Sequence, residues 1–131
     1  MVTSFTAPSG VSRFSATADV EMTDCYNDGQ ACDTSPMNSR SSNVGTQLLV
    51  MQKNRSGGYC RTTKWPASGL KRTTITFQEH HEKAYHRIEN VPVSTNASCT
   101  RSFRIKVYTR VLSGNDLMIE AKPYTNLFAK P

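Results

Sequence analysis

The feature that most constrains this chain is a two-residue period in its apolar residues, clearest over residues 101–111. Phe103, Ile105, Val107, Thr109 and Val111 alternate there with Arg104, Lys106, Tyr108 and Arg110. Successive side chains of a strand point to opposite faces, so this run can bury one face and solvate the other. Wound as a helix, the same residues would spread around the whole circumference. Residues 12–22 repeat the pattern. Phe14, Ala16, Ala18, Val20 and Met22 share one face, and Arg13, Ser15, Thr17, Asp19 and Glu21 the other.

The remaining strand signals are shorter. Residues 46–53 and 59–65 flank Asn54-Arg55-Ser56-Gly57-Gly58, and a five-residue link with two glycines predicts a hairpin. Pro66 ends it, because proline cannot donate to a ladder. Residues 72–79 form another run, with Ile75 and Phe77 inward. Ser113-Gly114-Asn115-Asp116 predicts a turn into residues 117–122, making a second hairpin; a short helix from Asn115 would be stopped by Pro123. Residues 79–90 fit either a helix or a strand, and their charge density favours a solvated face or a protruding loop over core. Ser and Thr are abundant while Leu and Ala are scarce, a balance that favours pleated sheet. The expected fold is all-β, a single domain over residues 1–131. It is an antiparallel sandwich, open barrel or curved sheet of about six to seven strands, with at most one short helix.

Residues 24–43 read as a long polar loop, a length that usually calls for a staple. Four cysteines, Cys25, Cys32, Cys60 and Cys99, allow three pairings. The expected one joins Cys25 to Cys32 inside that loop and Cys60 to Cys99 between two strands. The longer link is worth about 3–4 kcal/mol through reduced chain entropy in the unfolded state. Such pairing implies an oxidising compartment, hence an extracellular location, or oxidation after release from a cell as in a virion. No C-x2-C or H-x3-H spacing points to zinc, and no metal or cofactor is expected. Residues 1–10 lack the basic start and apolar stretch of a signal peptide. No apolar run approaches the length of a membrane-spanning helix, and no membrane partner is expected. Two glycosylation triplets, Asn54-Arg55-Ser56 and Asn96-Ala97-Ser98, fall in predicted turns.

Charge is divided unevenly. The chain carries a net charge of +6, yet residues 1–51 hold two cations against five carboxylates and residues 52–131 fourteen against five. Such asymmetry points to a polyanionic partner or to association between unlike surfaces. Alternation forces Arg104, Lys106, Tyr108 and Arg110 onto one face at a spacing of about 7 Å, close to the phosphate repeat of an extended nucleic-acid strand. Arg61 and Lys64, on another strand, with Lys71 and Arg72 nearby in sequence, are candidates to widen it. The plainer alternative is a solvent face kept soluble by cations.

The densest titratable cluster runs from Glu79 through His80, His81, Glu82 and His86 to Arg87. His, Glu and Arg are the residue types of small ribonucleases, but these are nearly consecutive, whereas catalytic groups converge from several elements. Nucleophile elbows and glycine-rich phosphate cradles are absent. The expected function is therefore a non-enzymatic, disulfide-stapled extracellular binding module. Its basic face would take an acidic macromolecule: a protein, a glycan or a nucleic acid. The alternative is a self-assembling viral coat (capsid) protein, a homo-oligomeric shell whose sheet face contacts RNA. A small His/Glu/Arg ribonuclease is the third reading.

Overall fold

A strand with one apolar face must cover it, and this chain does so by laying two sheets against each other. The computed structural model describes residues 2–24, 41–76, 81–114, 117–119 and 126–130. Among them are nine strands and no helix: β1 (Val2–Thr6), β2 (Arg13–Asp24), β3 (Ser42–Asn54), β4 (Tyr59–Trp65), β5 (Lys71–Ile75), β6 (His81–Pro92), β7 (Cys99–Ser113), β8 (Leu117–Ile119) and β9 (Asn126–Lys130). Every pairing among them is antiparallel. The first sheet runs β1-β7-β3-β4, with β5 also on β3; the second runs β6-β2-β8, with β9 also on β2. The length of β3 explains the branch in the first sheet. Its beginning, Ser42 to Thr46, pairs with β5, and Leu48 to Lys53 pairs with β4 along the same edge.

The two clearest alternations do what their period requires. Phe14, Ala16, Ala18, Val20 and Met22 are all buried, and so are Phe103, Ile105 and Val107. They meet in one core cluster with Val44, Leu48, Val50, Ile75, Ala84, Ile88 and Val91. The second sheet supplies the small members, Ala16, Ala18 and Ala84. The first supplies bulky Phe103, Ile105 and Leu48, a pairing of sizes that fills space between sheets. Phe5, Phe14 and Phe103 close one end, with ring centroids 4.8 Å (Phe5 to Phe14) and 4.7 Å (Phe14 to Phe103) apart. Burying side chains of this size makes truncation of Phe103 to Ala cost about 3–5 kcal/mol.

Two polar fasteners hold the core's margin. Gln52, fully buried, donates to the carbonyls of Ser94 and Thr100 and accepts from the Ser94 amide. Arg101 donates to the carbonyls of Ala7, Pro8 and Val11, tying down the crossing from β1 to β2. Cys60 and Cys99 form a disulfide with Cα atoms 5.8 Å apart, joining β4 to the start of β7 at the end of β3. The expected long-range pair is therefore present. Cys25 and Cys32 lie outside the described residues, as do Phe77, Glu79 and His80.

Several expectations change. Residues 81–92 are not a protruding loop: β6 pairs with β2 along its length and buries Ala84, His86, Ile88 and Val91. Its exposed face carries the charge that masked the strand. Residues 117–119 do not fold back on β7 as a hairpin. They cross to the second sheet and pair with Met22, Thr23 and Asp24 of β2. Strands β1 and β9 lay outside the expected six to seven, being short segments without long alternation. Thr109 is half-buried and Val111 37% exposed, because β7 extends past the edge of the core.

Candidate basic face of the first sheet

The outer face of the first sheet is set by register. On β7 the inward residues Phe103, Ile105 and Val107 leave Arg104, Lys106, Tyr108 and Arg110 facing out. Across the sheet, Lys106 lies between Val2 of β1 and Leu49 of β3, and Leu49 pairs with Lys64 of β4. One row along, Arg104 lies between Ser4 and Met51, and Met51 pairs with Thr62. At the far end Arg110 and Arg72 flank Gly45. Neighbouring strands are about 4.8 Å apart, so Lys106 and Lys64 sit about 10 Å from each other. Met51 faces outward on β3 and is only 8% exposed.

The expected patch is brought together except at Arg61 and Lys71; Arg72 joins it opposite Gly45, whereas Lys71 pairs with buried Thr46 and reaches the Tyr85 carbonyl of the second sheet. Arg104, Lys106, Tyr108, Arg110 and Lys64 share the outer face. Arg61 does not, because it pairs with Gln52, whose side chain points into the core. Residues three apart on a strand fall on opposite faces, so Arg61 and Lys64 cannot serve the same surface. Arg61 is exposed on the other side of β4. Two residues missed by sequence reasoning take its place. Lys53 pairs with Tyr59 directly across the hairpin, and the Arg104 guanidinium Nη1 approaches the Tyr59 hydroxyl at 3.5 Å. The hairpin was legible, so the cross-strand pairing of positions 53 and 59 was the signal available. Val2, Ser4, Lys53, Gly57, Tyr59 and Arg104 together line an open concavity of about 560 Å³.

The two sheets differ sharply in charge. Among the described residues the carboxylate-bearing positions are Asp19, Glu21 and Asp24 on β2 and Glu82 and Glu89 on β6, all in the second sheet. The strands of the first sheet carry nine Lys and Arg and none of those acids. Ion pairs of the second sheet include Lys83 with Glu21 and Arg87 with Glu89. Among the described residues no carboxylate lies on the strands of the first sheet, so these residues give its outer face a positive field.

The histidine cluster is taken apart by β6. His81 faces outward, where its Nδ1 shares a 2.8 Å hydrogen bond with the Thr23 hydroxyl. His86 faces inward and is fully buried, its Nε2 2.7 Å from the Thr46 hydroxyl and its ring edge-on to Trp65 at 5.7 Å. Burial, reinforced by the nearby Lys71 charge, lowers its pKa from 6.5 to about 4, against a weaker opposite pull from the backbone of Ala18 and Ala84. A neutral imidazole sealed in the core cannot reach a substrate. Glu82, His81 and His86 therefore form no common site, and Glu79 and His80 of the same cluster lie outside the described residues. Among the described residues no three His, Cys, Asp or Glu side chains group to hold a metal ion. The described residues contain no helix, and hence none long and apolar enough to cross a membrane.

No family model, curated protein or solved structure matches the chain.

Proposed function

We propose that this protein is a non-enzymatic binding module whose outer first-sheet face takes a polyanionic partner. The observation that carries the reading is the segregation of charge: every described acidic position lies in the second sheet, while Lys53, Lys64, Arg72, Arg104, Lys106 and Arg110 line the open face of the first. Cations with no described carboxylate beside them gain more from an external polyanion than paired ones do, because their field is not already neutralised. The Cys60–Cys99 disulfide is compatible with an extracellular protein, and we place the module there.

The test is Arg104→Glu combined with Lys106→Glu, assayed for heparin and polyphosphate binding across a salt series. Both residues are on the outer face, so folding should be unchanged by circular dichroism. Each cation that no longer neutralises a phosphate lowers the slope of log K against log salt by about 0.7, so affinity should fall at least about tenfold and the slope by more than about one. Unchanged binding would reduce the face to a solubility device. Light scattering on the eluted protein belongs to the same experiment: a monomer or dimer supports the module, whereas a large particle carrying nucleic acid would replace it with a shell subunit.

A further inference from the structure

The polyanion reading leaves the tyrosines unexplained. Tyr59 and Tyr108 are 41% and 43% exposed, both on the face that carries the cations. A surface that only needs solubility gains nothing from displaying two aromatic rings. Tyr59 lines the 560 Å³ concavity together with Lys53 and Arg104. That volume suits a ligand of nucleotide size. Gly57, with φ of +99°, forms the tip of the neighbouring turn, and nothing lies within 4 Å of the place a Cβ would occupy. The approach over the turn is therefore open. Tyr108 lies four residues along the same strand from Arg104, about 13 Å away at strand rise, with Lys106 between them. Two bases two steps apart on an extended strand span a similar distance, with their phosphates falling near Arg104 and Lys106.

We infer that the face binds single-stranded nucleic acid. One nucleotide seats in the concavity with its base on Tyr59, a second base stacks on Tyr108, and Arg104, Lys106 and Lys64 take the phosphates between. The inference rests on the polyanion reading and adds the chemistry of the occupant. A duplex keeps its bases stacked on each other and offers the rings nothing, and a sulfated glycan or acidic peptide would engage the cations without needing a base-sized seat.

The experiment measures anisotropy of a labelled single-stranded oligonucleotide of about 12 residues, with a duplex of equal length and heparin as competitors. It compares the wild type with Tyr59→Leu, Tyr108→Leu, Tyr59→Phe and Tyr108→Phe. Each Leu variant should weaken single-strand binding about tenfold with the salt slope unchanged, and each Phe variant should restore it, since stacking needs the ring and not the hydroxyl. The duplex should compete poorly. Both rings are on the surface, so thermal melts should match the wild type; a Leu variant that fails to fold is superseded by Tyr59→Ser or Tyr108→Ser, compared with the Phe variant at the same position. If all four variants bind like the wild type, or if heparin and duplex bind as tightly as the single strand, the inference is overturned while the polyanion reading stands. If no polyanion binds at all, both fall.

Discussion

Acidification should destabilise this protein through His86, and the size of the effect follows from its surroundings. His86 is fully buried, and its ring is held neutral with a pKa lowered to about 4 from 6.5. Among the described residues the charged group acting on it is Lys71, whose ammonium donates to the Tyr85 carbonyl, stands 5.7 Å from the Trp65 ring and opposes protonation. Because the folded-state pKa is depressed, the unfolded chain binds the proton more readily. Stability is therefore complete above about pH 6.5 and declines as pH falls toward about 4, at about 1.4 kcal/mol per pH unit. Over the whole interval the decline is about 3 kcal/mol, a sizeable part of a domain's net stability. Urea denaturation of the wild type and His86→Leu, repeated from about pH 7.5 to about 4, isolates this contribution from the carboxylates that titrate lower. The variant's curve should lack the decline between about pH 6.5 and about 5. Parallel curves for the two proteins would refute the assignment, as would a His86 ring signal in nuclear magnetic resonance that titrates near the ordinary histidine value, about 6.5, in the folded state.

Other margins of the core are equally open to measurement. Replacing Gln52 by Leu leaves the Ser94 amide and the Ser94 and Thr100 carbonyls without their partner, and chemical denaturation should show a destabilisation of about 2–4 kcal/mol. Arg101→Met keeps the stem but removes the bonds to three carbonyls in the β1–β2 crossing; a destabilisation of about 1.5–3 kcal/mol is expected, with faster amide exchange over residues 7–12. Breaking the Cys60–Cys99 link by Cys60→Ser with Cys99→Ser frees a separation of 39 residues and should cost about 4 kcal/mol in chain entropy. A change under about 1 kcal/mol in that double variant would show that the unfolded chain is already held compact there.

Period alone determined a good deal about this protein. Alternation at Phe14 to Met22 and at Phe103 to Val111 identified the two strands that face each other across the core. The glycine pair at 57 and 58 identified the β3–β4 hairpin. Alternation also placed Arg104, Lys106, Tyr108 and Arg110 on one surface, because which face a side chain takes is a local property of a strand. The Cys60–Cys99 pairing followed from similarly coarse placement. Pairing between distant strands is not local, and there the tertiary structure decided. It put acidic β2 beside β6 and gathered β1, β3, β4, β5 and β7 into the other sheet. A charge imbalance between the two ends of the chain thereby became one between two sheets. Strand β6 looked too charged for core because its outward residues outweigh Ala84, His86 and Ile88 in any reading by composition. Register across β3 then set the outer face itself, excluding Arg61, admitting Lys53 and Tyr59, and bringing Val2 and Ser4 of β1 beside Arg104. Strand order and register come from the sum of many long-range interactions, and no stretch of this sequence carries that sum by itself.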